Sequence, residues 1–192
     1  DNLYTIPMTS TGYVRRDAKK VMNARGIKAE VIDSQPDIDL YMALRDAFRG
    51  GDTHASRFYA GAIVENVESY DRSSSYPDVI VNCQYPITPF YHVGAASLKD
   101  VKYYMKKGRA LVMRIAMYNV RLLDKYSPVP YIPKAKTQSC VNAEIDNGRV
   151  LSAEYLEMAV TDIDMQIILN QYDADNIVIE DMWHSRYGYL PR

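Results

Sequence analysis

With 192 residues, 47% hydrophobic and 24% charged, the chain has the composition of one globular domain or of part of a larger protein. A net charge of −1 gives no general basic field, which argues against a self-sufficient nucleic-acid-binding module. Cys83 and Cys140 are too far apart for metal-ligand spacing and are expected as reduced thiols in a cytoplasmic protein. His54, His92 and His184 are too scattered to suggest zinc, and no apolar run is long enough for a membrane span. The opening Asp-Asn-Leu, without Met, reads as an excised or processed piece.

Residues 1–8 are expected to be extended up to Pro7. Thr9 can cap a helix from about Thr11 to Arg25, which Gly26 can stop. Its cations Arg15, Arg16, Lys19, Lys20 and Arg25 fit a solvated face better than a binding face. Ser34-x-x-Asp37 is a capping-box pattern for a second helix. Leu40, Ala43, Leu44, Ala47 and Phe48 form its apolar stripe, and Gly50-Gly51 ends it. Tyr59 to Tyr70 then alternates like a strand, and Asp71 ends the run.

Tyr76 to Gln84 predicts a short helix with Pro77 in its first turn, broken by Pro86 and Pro89. Ser97-x-x-Asp100 starts another helix and Lys106-Lys107-Gly108 stops it. Arg109 to Leu122 reads as a long strand buried on both faces. Ala110, Val112, Arg114, Ala116, Tyr118 and Val120 share one side, and Leu111, Met113, Ile115 and Met117 the other. Pro128 to Pro133 is an extended connector. Val141–Ile145 and Arg149–Met158 flank Asn147-Gly148, a hairpin signal. Thr161-x-x-Asp164 caps a helix to about Tyr172, Asp173-Ala174-Asp175 makes a turn, and a strand runs from Asn176 to Arg186. Strands and helices follow in no regular alternation. The expected class is therefore α+β, with a mainly antiparallel sheet, packed helices and a small hairpin-containing subdomain.

The stretch with the most chemistry is Asp71-Arg72-Ser73-Ser74-Ser75-Tyr76-Pro77, a D-x-x-S-x-Y-P pattern. A carboxylate at a strand end is rigidly placed for magnesium, and small residues after it let backbone N–H groups approach a triphosphate. An ordinary Asp/Ser turn would have the same composition. In Phe48-Arg49-Gly50-Gly51, two glycines permit close approach to a phosphate and Arg49 suits phosphate pairing, although a glycine helix stop reads alike.

The D-x-x-S-x-Y-P pattern resembles motif A of the family B DNA polymerases. Phe48-Arg49-Gly50-Gly51, 23 residues before Asp71, resembles their YxGG linker, with Phe48 in place of the usual Tyr. The Ile6 to Arg16 stretch, Arg109 to Arg114, Tyr131-Ile132-Pro133, Asp146 to Arg149 and Gly188 to Pro191 are similar to the phage and mobile-element branch, near the protein-primed enzymes. The resemblance implies a palm-type sheet. Residues 1–35 would leave an exonuclease domain. Residues 36–108 would hold the linker and the first palm segment. Residues 109–192 would complete that segment and the subdomain before the fingers.

The resemblance also implies roles. Asp71 would bind two Mg2+ ions and Arg72 would offer its backbone carbonyl to one of them. Ser74 and Ser75 would present N–H groups to the incoming deoxynucleoside triphosphate; Ser75 stands where the family usually has Leu, which leaves a backbone role intact. Tyr76 would gate the sugar, and Arg49, Gly50 and Gly51 would meet the template strand of a DNA primer–template. Motif B (K-x-x-x-N-S-x-Y-G) and motif C (D-T-D) do not occur in the sequence. The expected partners thus include the remaining exonuclease, fingers and thumb domains, and the piece alone is expected to be inactive. The alternatives are a non-catalytic module that binds template or couples domains, and an unrelated α+β domain with chance motif matches.

Overall fold

The structure, a computed structural model, describes residues 9–28, 35–51 and 53–190. The extended reading of residues 1–8 and the cap at Ser34 lie outside them. The chain forms two units, residues 1–37 and 38–192. In the first, α1 spans Ser10–Arg25. Thr9 caps it by accepting a hydrogen bond from Gly12 N (3.1 Å), and Gly26, at φ 66°, ends it as a left-handed residue. None of its residues is buried, as the solvated-face reading expects.

The second unit has helices α2 (Ile38–Ala47), α3 (Ser75–Asn82), α4 (Leu98–Lys106) and α5 (Asp162–Gln171). Its strands are β1 (Tyr85–Pro86), β2 (Tyr91–His92), β3 (Arg109–Leu122), β4 (Thr137–Val141), β5 (Glu144–Asp146), β6 (Arg149–Thr161), β7 (Tyr172–Asp173) and β8 (Asn176–Gly188). The strand order is β1-β8-β3-β6-β4, with β2 on β8, β5 on β6 and β7 on β3. Every pairing is antiparallel, so the α+β, mainly antiparallel architecture expected from the sequence is the one that forms.

The centre of the sheet is β3, whose bounds match the alternation in the sequence. Leu111, Met113, Ile115 and Met117 enter the main core with Val101 of α4 and Met165 and Ile168 of α5. Val112 faces a second, smaller core with Leu40 and Ala43 of α2 and Trp183 of β8. Burial on both faces therefore comes from helices on both faces. At Asn119 (φ 51°) the parity changes, and Val120 joins the main core instead of the side of Ala110 and Val112. A left-handed residue rotates the next side chain out of phase, and periodicity alone does not carry that information.

Capping boxes start α4 and α5, with Ser97 and Asp100 in one and Thr161 and Asp164 in the other. Asn147 (φ 48°) and Gly148 (φ 74°) make the turn between β5 and β6, and β6 continues into the main sheet. The connector before β4 is stitched down. Ile132 is buried, its N–H donates to the Tyr172 hydroxyl (3.2 Å), and that hydroxyl donates to Val150 O (2.8 Å).

One expected element does not form: residues 59–70 are not a strand. A tight turn brings Ala62 N to Tyr59 O (3.0 Å), and the chain then runs irregularly to Asp71 with Ile63 97% exposed. Alternation makes a strand only where a neighbouring strand supplies hydrogen bonds and an apolar face to cover it. Among the described residues, none pairs with this stretch.

Candidate functional site

Asp71 lies in the exposed segment just before α3, not at the end of a strand. Its carboxylate makes no hydrogen bond or ion pair with the described residues, although a second acid stands seven positions further on, in the first turn of α3. That acid, Asp78, is occupied: Arg72 pairs with it, and Asn82 Nδ2 donates to its Oδ1 at 2.6 Å. Helix α3 begins at Ser75, slightly before the expected Tyr76, because Ser74 adopts a left-handed conformation (φ 53°) that turns the chain into it. Ser74 makes no side-chain cap, so the first N–H groups of α3 meet no capping acceptor from it. Tyr76 projects into solvent at 81% exposure. The structure thus gathers Asp71, Arg72, Ser74, Ser75 and Tyr76 within one short solvent-facing segment at a helix N-terminus.

The second group of predicted residues lies elsewhere on the same unit. Helix α2 stops at Ala47, before the two glycines. Neither Gly50 nor Gly51 has a positive φ, so neither is a left-handed helix cap, and a Cβ on either would meet open space. With Phe48 and Arg49 they line a largely apolar cleft of about 720 Å³, closed on its other sides by Tyr131, Lys136, Arg149 and the start of α5. Phe48 is exposed, with Lys136 Nζ 6.0 Å from its ring centre.

Arg49 is held in the wall of this cleft. Its Nε lies 2.9 Å from Asp164 Oδ1, and its guanidinium stacks 4.7 Å from the centre of the Tyr131 ring. The Tyr131 hydroxyl donates to the same Asp164 oxygen, and Arg149 Nη1 donates to Tyr131 O at 2.9 Å. Asp164 is only 5% exposed, so its charge is stabilised by these donors and by the N-terminus of α5. Beside it, Asp162 accepts from Leu111 N (3.0 Å) and the Tyr187 hydroxyl (3.0 Å), tying the start of α5 to β3 and β8. Burial pushes the Asp162 carboxyl above its ordinary range and is the main cause raising Tyr187 as well.

Among the described residues, no hydrogen bond or ion pair joins the Asp71 group to the Arg49 group. The sequence reading finds Asp164 only as a helix cap, and Tyr131 and Arg149 only as parts of a connector and a turn. Their links to Arg49 each span more than eighty positions of sequence and have no local pattern.

For magnesium, the donor chemistry fits as far as it goes. Asp71 supplies an unpartnered hard-oxygen donor, but among the described residues no group of three or more His, Cys, Asp or Glu side chains converges on one point. No helix of the described residues is long and apolar enough to cross a membrane.

Three comparisons with known proteins bear on the chain. Residues 5–173 match the family of organellar and viral type B DNA polymerases. No curated protein matches. Among solved structures, phi29 DNA polymerase in a ternary complex with primer-template DNA and incoming nucleotide substrates is similar with a TM-score of 0.58 and 14% identity, over 99% of this chain and 36% of that one. The same polymerase complexed with single-stranded DNA is similar with a TM-score of 0.53 and 14% identity, over 95% of this chain and 34% of that one. The chain therefore spans about a third of the length of these structures, and at such identities the likeness speaks for the fold. The family match covers most of the chain, residues 48–77 included: this chain belongs to the organellar and viral type B DNA polymerases.

Proposed function

We propose that the chain is part of a DNA-directed DNA polymerase and supplies its first metal-binding carboxylate, its nucleotide-sugar gate and a contact to the template strand. The observation that carries this reading is the placement of an unpartnered Asp71 just ahead of the uncapped N-terminus of α3. A helix N-terminus with spare N–H groups favours a phosphate, and a neighbouring carboxylate favours the cation that accompanies it.

Asp71 and the Arg72 backbone carbonyl would hold magnesium, which when bound neutralises charge on the triphosphate during phosphoryl transfer. The backbone N–H groups of Ser74 and Ser75 orient the triphosphate. The Tyr76 ring lies under the sugar and excludes a 2′-hydroxyl. Asp78 stays out of this set because Arg72 and Asn82 occupy it. Primer–template DNA, deoxynucleoside triphosphates and the other polymerase domains are the partners, in the cytoplasm of a host cell.

A second reading has one observation in its favour. Arg49 is pinned by Asp164 and Tyr131, which suits a segment that couples parts of the polymerase as well as one that touches template.

The deciding experiment is Asp71→Asn in the full-length polymerase. Primer extension should fall by roughly a thousandfold, about 4 kcal/mol of transition-state stabilisation, while DNA binding stays close to wild type. Near-normal extension by Asp71→Asn would overturn the reading.

A further inference from the structure

The two oxygens of the buried Asp164 carboxylate do different work. Oδ2 serves the start of α5: it accepts from Thr161 N and from Thr161 Oγ1, both at 2.8 Å. With Asp164 N donating back to Thr161 Oγ1 at 3.2 Å, this completes a capping box without Oδ1. Oδ1 serves nothing in the helix. It accepts from the Tyr131 hydroxyl and lies 2.9 Å from Arg49 Nε.

The Arg49 guanidinium is thereby fixed along two directions. The ion pair sets its edge, and the Tyr131 ring, 4.7 Å away, sets its plane. Its Nε and Nη2 are both buried and neither has a hydrogen-bond partner among the described residues, so Asp164 holds the guanidinium by charge and not by a hydrogen bond. A guanidinium held in place by charge and by stacking, with buried N–H groups still unsatisfied, is arranged for an acceptor that has yet to arrive. Gly50 and Gly51 follow at once, with open space where a Cβ would stand, and Lys136 lines the same cleft. These are the features that a phosphodiester group uses: a fixed guanidinium, accessible backbone and a second cation.

We propose that Asp164 is a positioning residue for DNA binding: through Oδ1 it holds Arg49 by charge against Tyr131 so that the unsatisfied N–H groups of the guanidinium meet a template phosphate beside Gly50 and Gly51. This rests on the reading of Phe48–Gly51 as a template contact.

The proposal has an unusual sign. Asp164 is an anion beside a site for an anion, so by electrostatics alone its neutralisation tightens DNA binding. Positioning requires the opposite. In Asp164→Asn, one side-chain atom can still accept from Thr161 and keep the cap, but the atom facing Arg49 becomes a donor and turns the guanidinium away.

The test measures primer–template binding by the full-length polymerase across a range of salt concentrations, for Asp164→Asn, Arg49→Ala and the double variant. Thr161→Ala serves as a variant that loses the cap only. Asp164→Asn should weaken binding about tenfold, the size of one charge-assisted hydrogen bond. The same change should have no further effect in the Arg49→Ala background, and Thr161→Ala should bind as wild type does. Equal weakening by Asp164→Asn in both backgrounds, or weakening by Thr161→Ala of the same size, would show that Asp164 acts only through α5 and would overturn the proposal. Unchanged or tighter binding by Asp164→Asn overturns it too. If Arg49→Ala itself leaves both affinity and salt slope unaltered, the template-contact reading falls and the proposal with it. The Arg49→Ala measurement therefore separates the two failures.

Discussion

Arg72 is ion-paired with Asp78 in the first turn of α3, and this pairing separates two acids that the sequence places only seven positions apart. Both partners are solvent-facing, so the pair adds little to stability. Its effect is on chemistry. Asp78 is engaged, Asp71 is not, and only an unengaged carboxylate can take a cation without first losing a partner. Asp78→Asn in the full-length polymerase should therefore lower primer extension by no more than about threefold, against roughly a thousandfold for Asp71→Asn. Parallel steady-state extension assays compare them, and an equal loss in both variants would remove the distinction drawn from the pairing.

Tyr76 stands at the start of α3 and is 81% exposed. An aromatic ring left in solvent by its own fold is available to a ligand; one packed in a core is not. As a sugar gate it acts by bulk, so Tyr76→Val in the full-length polymerase should raise ribonucleotide incorporation by about tenfold or more while largely keeping deoxynucleotide incorporation. Competition between ribo- and deoxynucleotides in primer extension reads the ratio. Unaltered sugar discrimination would leave Tyr76 without that role.

How much of this was legible in the sequence depends on the range of the interaction. Capping is local, so Thr9, Ser97 and Thr161 marked their helices, and Gly26 marked the end of α1. The two-faced alternation from Arg109 to Leu122 gave the central strand with its bounds. Asn147-Gly148 gave its hairpin. The short strands β1 and β2 left no local trace, because they exist only by pairing with β8, about a hundred residues later. The stretch before Asp71 failed in the opposite way: its pattern suits a strand, but no described strand lies beside it. At the candidate site, the family resemblance singles out Asp71 to Tyr76 and Arg49 to Gly51, but neither the left-handed Ser74 nor the Asp164–Arg49 pair was legible. A serine does not advertise a positive φ, and a long-range ion pair has no spacing.

His184 gives a prediction about acid stability. It sits on β8, stacked on Tyr104 of α4 at 4.7 Å between ring centres, with Tyr91 of β2 on another side at 5.6 Å. Its Nδ1 is buried without a hydrogen-bond partner among the described residues. Burial, helped by the Arg109 charge, holds its pKa below the ordinary value of 6.5. The unfolded chain therefore takes up the proton at a higher pH than the folded one. The neutral ring's contribution is fully present above about pH 6.5 and is lost progressively as pH falls through the folded pKa. His184→Phe keeps an aromatic ring against Tyr104 and removes the titration. Urea denaturation of the 192-residue chain from pH 7.5 to 5 should show a shallower fall in stability for His184→Phe than for the parent. Parallel pH profiles would mean that His184 does not contribute to the acid sensitivity.

Magnesium gives the last test, on the chain by itself. The ion prefers six oxygens in octahedral geometry and releases its water reluctantly, so tight binding needs several protein oxygens or a substrate that brings its own. Asp71 offers one carboxylate and Arg72 at most a carbonyl. The nearest acid along the helix is tied to Arg72 and Asn82, and no other set of acids converges among the described residues. The triphosphate would supply the missing oxygens, but the N-terminus of α3 by itself is a small platform for it. The 192-residue chain should therefore bind magnesium no more tightly than about millimolar, and should not extend a primer. Titration of Mn2+ as a paramagnetic stand-in, followed by NMR broadening, should touch Asp71 and its neighbours first and only at high concentration, and Asp71→Asn should abolish that broadening. Saturation at micromolar metal, lost in Asp71→Asn, would mean that the chain builds a complete cage around Asp71. Broadening centred elsewhere and unmoved by Asp71→Asn would take the carboxylate out of the metal site.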